Sequence, residues 1–322
     1  MKNLIEILLK ELKCDVRILK REKMSSWKPD IVFLHNVSFL KYGKYFKRLK
    51  PKIIAPLYFF WNASSNLLKN LESLIGTSFD QVYVDKYLVT SKRLFREFSF
   101  IGIKRSKMHV IEPYYYCRYC DFNYYKSYKN SISNKFRNLD SEVKLVYIGS
   151  INPTRVPLKE IIKELRKVVS HTGLNVSFQI YSTRLGPGRY IQKGFTYKEK
   201  SLRLSLSPQR LSEMEKHIIL SSFHFLLFVP KGRATMDPSM SLIEAVYHLT
   251  IPITSTKLPG SEYLPRINVV NRLDQLANKI IYLREALLNN KYPIEELLRK
   301  FSIFYDKHRF RYKVKKLFED IK

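Results

Sequence analysis

Residues 229–262 read VPKGRATMDPSMSLIEAVYHLTIPITSTKLPGSE, and this stretch decides the fold. It follows the apolar run FHFLLFV at 223–229, whose unbroken hydrophobicity predicts a strand buried on both faces of a parallel sheet. Asp237, Pro238 and Ser239 then predict a helix start: a capping residue, a proline in the first turn and a small polar residue. Met240, Ile243 and Tyr247 recur at helical spacing, as do Leu242, Val246 and Leu249, so the predicted helix is largely buried. Pro252 is expected to stop it, and residues 251–254 predict a second short strand. Strand, polar loop, helix, strand is the repeating unit of an α/β domain.

The chemistry of this unit lies where loop meets helix. The free N–H groups of Ser239, Met240 and Ser241 would point out of the helix start, where the helix dipole favours an anion such as a diphosphate. Glu244 is one turn further in, and helical side chains lean toward the N-terminus, so its carboxylate would reach the same crevice. There it would repel phosphate but accept hydrogen bonds from a ribose diol. Lys231 and Arg233, in the loop, would neutralise phosphate charge. The competing reading is a solvated helix glutamate beside an ordinary loop.

A related unit lies upstream. Residues 143–169, VKLVYIGSINPTRVPLKEIIKELRKVV, predict a buried strand, a tight turn at Gly149 and a helix opened by Pro157. Residues 175–182 predict the next strand, 191–208 show no clear pattern, and 211–222 predict a helix. Residues 274–322 read as helices. Toward the N-terminus, the pattern predicts a helix at 2–13, strands at 15–20 and 31–35, and another strand with its exit loop at 53–61. A further strand reads YLVTS at 87–91, with a helix after Ser91. The Tyr-, Asn- and Ser-rich residues 117–141 read as an interdomain linker.

DPSMSLIEA followed by IPITS resembles the donor-site signature of the retaining glycosyltransferases of family 4, whose pattern places Glu-Ala before a helix and a Pro-containing strand. Glu244-Ala245 matches its second half, while the first glutamate of the pattern is Met236 here, beside Asp237. In residues 143–169 the family places Arg and Lys on the donor diphosphate. Ser150 and Arg155 occupy those positions, after Gly149. The histidine that ends an early family strand matches His35, and Leu57 and Tyr58 stand where a second histidine is common.

The resemblance implies the GT-B fold: two Rossmann-like α/β domains with parallel sheets facing a central cleft. It implies an acceptor-side domain at 1–140, with 305–322 packing back on it, and a donor-binding domain at 141–304. It implies transfer of a hexosyl group from a nucleotide-sugar to an acceptor hydroxyl, with retention, no cofactor beyond that co-substrate and no metal. The donor-binding candidates are Gly149, Ser150, Arg155, Arg184, Lys231, Arg233, Asp237, Ser239, Met240, Ser241 and Glu244. His35 is the catalytic candidate, and no general base is named.

Composition sets the outer bounds. The chain of 322 residues is 45% hydrophobic, enough for two cores, and carries a net charge of +30. Such a field attracts nucleotides, nucleic acid or acidic lipid head groups. Residues 39–52 interleave lysines and an arginine with Phe, Tyr and Leu, a pattern that suits an anionic membrane surface, a nucleic acid or a half-buried helix. The acceptor is thus expected to be a glycan or a lipid-linked acceptor, and the place the cytoplasm or the cytoplasmic membrane face. The alternative is a nucleic-acid-binding protein on a catalytically lapsed GT-B frame. The acidic residues within 1–13 make a poor signal peptide. Three cysteines argue against a disulfide framework, and the single CRYC at 117–120 lacks a second pair for zinc.

Overall fold

The computed structural model describes residues 30–33, 51–56, 84–100, 102–112, 134–151, 156–184, 190–230, 240–256, 258, 260–304 and 306–321. The expected elements at 2–13 and 15–20, the CRYC motif and most of the basic segment at 39–52 lie outside them. The chain divides into two compact units, Met1–Tyr114 with Phe304–Lys322, and Tyr115–Ile303.

The first unit holds four parallel strands in sequence order. They are β1 (Ile31–Phe33), β2 (Lys52–Pro56), β3 (Lys86–Val89) and β4 (Met108–Val110). Alternation along β2 sends Ile53 and Ala55 to one face and Ile54 to the other. Helix α1 (Lys92–Phe100) covers the first face through Leu94 and Phe98. Ser91 caps it, accepting from the Leu94 N–H at 3.1 Å.

The other face takes the C-terminal helix, labelled α7 below (Lys307–Glu319). Val314, Leu317 and Phe318, with Ile321 just beyond, form the apolar stripe that meets Ile54, Leu88 and Ile111. Burying each contributes about 1.5–3 kcal/mol. Lys313 ion-pairs with the buried Glu112 at the exit of β4, so the tail is held by charge as well as by apolar area.

The second unit is a seven-stranded sheet in the order β11-β10-β9-β5-β6-β8-β7. Its elements are β5 (Glu142–Ile148), α2 (Leu158–Thr172), β6 (Asn175–Tyr181), β7 (Phe195–Glu199), β8 (Leu202–Ser207), α3 (Glu213–Ser222), β9 (Phe225–Phe228), α4 (Met240–Tyr247), β10 (Ile251–Ser255), β11 (Val269–Val270), α5 (Leu276–Leu288) and α6 (Ile294–Phe304). All strands pair in parallel except the edge strand β7. β9 is buried at every position, as its apolar run requires. Helix α2 buries Ile161, Leu165 and Val168 and ends at Gly173, whose φ of 68° permits the left-handed cap. Helix α3 opens on a capping box made by Ser212 and Glu215.

Three features differ from the sequence reading. The patternless stretch at 191–208 forms the β7–β8 hairpin: Leu202, Leu204 and Leu206 alternate inward, while β7 is an exposed edge with no apolar period to detect. Helix α4 ends before Pro252 acts. Leu249, at φ 56°, reverses the chain, with the Thr250 N–H on the Ala245 carbonyl and the Leu249 N–H on the Val246 carbonyl. Pro252 sits inside β10 instead, and Asn268 Nδ2 donates to its carbonyl at 2.8 Å. Finally, the end of the supposed linker is anchored in the second unit by the buried Phe136 and Leu139 and by Lys135. Among the described residues no helix is long and apolar enough to cross a membrane.

Candidate functional site

In the second sheet β5 lies between β6 and β9, where the order of connection reverses. Open α/β sheets hold ligands at the carboxyl ends of strands at such a point. The exit of β5 is tightly built. Gly149 has φ 152°, and its N–H donates to the Tyr181 carbonyl at 3.0 Å. A Cβ at Gly149 would lie 3.0 Å from the Tyr147 hydroxyl oxygen. That hydroxyl donates to the Ser150 carbonyl at 2.9 Å, and the ring meets Phe228 edge-on at 5.4 Å. The turn therefore accepts only a residue without a side chain, and a buried tyrosine fixes its shape.

The start of α4 is attached to the same exit. Ser241 Oγ donates to the Ile148 carbonyl at 3.1 Å, while Met240 in the first turn is 42% exposed. At the exit of β6, the Ile151 N–H donates to the Arg184 carbonyl at 2.9 Å, and Ser182 Oγ donates to that carbonyl at 3.0 Å. The Arg184 guanidinium stacks 5.4 Å from the centre of the Tyr190 ring, and both side chains are exposed. Gly149, Ser150, Arg184, Met240 and Ser241 thus share one rim. Arg155, Lys231, Arg233, Asp237, Ser239 and His35 lie outside the described residues.

Glu244 lies in the second turn of α4 and is buried. Lys216 of α3 donates to its Oε1 at 2.6 Å. Sequence reasoning gave this carboxylate a liability, repulsion of a nearby phosphate. Lys216 offsets that charge without occupying both oxygens. Nothing in LSEMEKHIIL singles out Lys216, because its partner comes from a different helix 28 residues on.

A set of buried polar groups sits behind Glu244. His248 Nδ1 lies 2.7 Å from the Glu244 carbonyl, which only accepts, so Nδ1 carries the proton. Nε2 of the neutral ring then accepts from His217 Nδ1 at 2.9 Å. Burial lowers the His248 pKa to about 4, with His217, Lys135 and Lys216 adding to the effect and the Glu244 carbonyl opposing it. Lys135 Nζ donates to the Leu220 carbonyl at 2.8 Å, the His248 carbonyl at 2.6 Å and Thr250 Oγ1 at 2.8 Å. The first two close the C-terminal ends of α3 and α4, where a cation meets the negative ends of two helix dipoles. Burial pushes the Lys135 ammonium well below its ordinary pKa. Among the described residues no group of three or more His, Cys, Asp or Glu is placed to hold a metal ion.

No protein-family model and no curated protein sequence matches the chain. Solved structures do. HepE of Anabaena in complex with UDP-glucose aligns with a TM-score of 0.65 at 11% identity, over 90% of this chain and 78% of that one. An α,α-trehalose-phosphate synthase (UDP-forming) from Burkholderia vietnamiensis aligns with a TM-score of 0.64 at 13% identity, over 92% of this chain and 74% of that one. The lipopolysaccharide outer core galactosyltransferase WaaB, in its apo form, aligns with a TM-score of 0.60 at 15% identity, over 91% and 76%. These likenesses, with two parallel α/β sheets, establish the GT-B fold with two Rossmann-like domains.

Proposed function

We propose that the protein is a glycosyltransferase that moves a hexosyl group from a nucleotide-sugar, a uridine diphosphate sugar first among them, to an acceptor hydroxyl with retention of configuration. The observation that carries the reading is the start of α4 fastened by Ser241 to the β5 exit, at the switch point of a GT-B second domain. The N–H groups of Ser239, Met240 and Ser241, with Arg155, Lys231 and Arg233, receive the diphosphate and stabilise it as it leaves. Glu244 takes the ribose diol while Lys216 offsets its charge. Arg184 borders the base. Side-chain cations and helix N–H groups supply the positive charge here, with no metal required by this arrangement. His35 is the candidate on the acceptor side.

The uridine preference is supported by the solved structures of like fold, one holding UDP-glucose and one described as UDP-forming. The acceptor is proposed to be a glycan or a lipid-linked acceptor at the cytoplasmic membrane face, which the protein reaches as a peripheral protein through residues 39–52 and its charge of +30.

A thermal-shift panel of nucleotide-sugars tests the donor site. One uridine diphosphate sugar is expected to raise the melting temperature, and Glu244→Gln to weaken its binding by about tenfold to a hundredfold, the loss of a charged hydrogen bond. A folded Glu244→Gln variant with unchanged affinity would remove the assignment. The anomeric configuration of the product, read by NMR, tests retention. Co-sedimentation with anionic and neutral vesicles tests the membrane proposal.

A further inference from the structure

Among the described residues, one half of the second sheet is covered by a helix on a single face. The residues of β6 and β8 alternate, with Val176, Phe178, Ile180, Leu202, Leu204 and Leu206 buried on the face that α2 covers. β9 shows no such alternation and is buried throughout. The opposite face of β6 and β8 carries Ser177, Gln179, Arg203 and Ser205, all half-buried or exposed. The end of α3, at Ser222 and Phe223, walls one side and leaves a groove of about 540 Å³. That volume falls in the range of small-molecule sites, about 300–1,000 Å³.

The charges across this groove are arranged by register. Lys144 pairs with Ser177, Ser177 with Arg203, and Arg203 with Lys198. They form one row across four strands, about 14 Å at ordinary strand spacing. Lys144 is neutralised by Glu142 at 3.2 Å, and Glu142 also accepts from Ser177 Oγ at 3.4 Å. Arg203 and Lys198 stand directly opposite each other on adjacent strands, and among the described residues neither meets a carboxylate. Like charges so placed destabilise a sheet unless something answers them. The next row, Gln179, Ser205 and Thr196, offers an amide and two hydroxyls.

We propose that this groove binds an acidic oligosaccharide, with Arg203, in its lining, and Lys198, just outside the lining on the edge strand, on the ligand's carboxylates, and Gln179, Ser205 and Thr196 on its hydroxyls. The side chains present the chemistry such a ligand needs. Arginine grips a carboxylate through two parallel N–H groups, and amide and hydroxyl side chains both donate to and accept from sugar hydroxyls. A nucleic acid is the poorer match. Phe195 and Tyr197, the exposed aromatics of β7, are paired in register with Leu206 and Leu204 and so lie on the opposite face, and the two aromatics that line the groove, Phe178 and Phe223, are buried, so among the described residues no exposed ring faces it. The groove lies off the β5 exit, so it is a binding site separate from the proposed donor site.

The test is calorimetric titration of the full chain at about 0.15 M salt. The probes are tetragalacturonate, neutral maltotetraose and a single-stranded oligonucleotide of equal charge. Tetragalacturonate is expected to bind and maltotetraose to bind far more weakly. The double variant Lys198→Ala/Arg203→Ala should lose at least about tenfold in affinity, and Gln179→Ala a few-fold. Removing two exposed lysines elsewhere, Lys163→Ala/Lys315→Ala, should change affinity less than twofold. No binding of tetragalacturonate, or equal losses in both double variants, overturns the proposal. So does an oligonucleotide that binds as tightly and responds to the same substitutions. All of these positions are at the surface, and unchanged melting temperatures confirm folding. The uridine diphosphate sugar panel is run on the same variants. Its failure would count against the glycosyltransferase reading alone, and tetragalacturonate binding would stand.

Discussion

Lys135→Met is the most informative single substitution in the second unit. The methionine keeps most of the buried stem and removes the ammonium. Three acceptors surround that ammonium, and a neutral amine has only two N–H groups, so the full set of bonds requires the charged form. On removal, the Leu220 carbonyl keeps a donor in Thr250 Oγ1, and the Thr250 hydroxyl keeps its own proton to give. The His248 carbonyl loses its Lys135 donor and is left buried, at about 1–3 kcal/mol. The cation at two helix C-termini adds about 0.3–1 kcal/mol per helix. Relief of ammonium desolvation acts in the opposite direction. We expect a net loss of about 2 kcal/mol at pH 7, read as a lower urea midpoint with an unchanged slope.

The pH dependence separates this account from a simple packing defect. Burial places the folded pKa of Lys135 well below its unfolded value near 10.5. In that window the unfolded chain binds more protons, so wild-type stability rises with pH relative to Lys135→Met, by up to about 1.4 kcal/mol per pH unit. Every other lysine and tyrosine titrates alike in the two proteins, so the difference isolates Lys135. Urea midpoints at pH 7, 8, 9 and 10 should diverge. A constant difference would refute the lowered pKa, and a methionine variant as stable as wild type throughout would refute the contribution of the three bonds. Because Lys135 ties the ends of the helices that carry Lys216 and Glu244, donor affinity should fall with stability.

Burial lowers the pKa of both His224 and His248 to about 4, so each stays neutral as the unfolded chain protonates below pH 6.5. Stability should therefore fall as pH drops from 6.5 toward 4, by on the order of 3 kcal/mol per site, and His224→Phe should flatten the acid limb of a melting-temperature profile. Lys313→Met leaves Glu112 buried without its lysine and should cost about 3–5 kcal/mol by chemical denaturation. Gly149→Ala should cost about 1–3 kcal/mol, from the backbone angle and the 3.0 Å approach of Tyr147, and should weaken donor binding more than Ser241→Ala, for which a few-fold loss by titration is expected. Lys216→Met leaves the Glu244 carboxylate without its cation. Its donor affinity should fall, and a double-mutant cycle with Glu244→Gln should show coupling of about 0.5–3 kcal/mol.

Where side chains repeat at the period of their element, the sequence was legible. The apolar run of β9, the inward stripe of α2 and the turn at Gly149 all carry local patterns, and together they lead to the β5 exit. Ser241, expected near the start of α4, joins that helix to the β5 exit, while the expected junction at Asp237, Pro238 and Ser239 lies outside the described residues. What escaped was non-local. Lys135 carries no local signal in the stretch read as a linker, and only the fold brings two helix ends to it across 85 and 113 residues. β7 has an exposed residue at almost every position and no period. Proline is an obvious stop in the sequence, whereas a leucine in the left-handed region is rare, so the reversal at Leu249 that ends α4 carries no local signal.

The scarcity of acids explains much of the architecture. The chain has 28 acidic residues against 58 basic ones, and among the described residues three glutamates are buried. Each meets a lysine: Glu112 with Lys313, Glu164 with Lys167, and Glu244 with Lys216. Glu164 also accepts from the Ala277 N–H, which joins α2 to α5, and Glu112 joins β4 to α7. A buried pair with good geometry adds little net stability, but losing one member is costly; the Glu112 and Glu244 pairs each bridge two elements, whereas Lys167 lies on the same helix as Glu164. The Glu244 pair differs in position. It joins α3 to α4 beside the proposed donor site, one turn below a helix start that is open to solvent at Met240. There the lysine neutralises a buried charge and, on the proposed donor-site reading, would also spare an incoming diphosphate the full repulsion of a carboxylate.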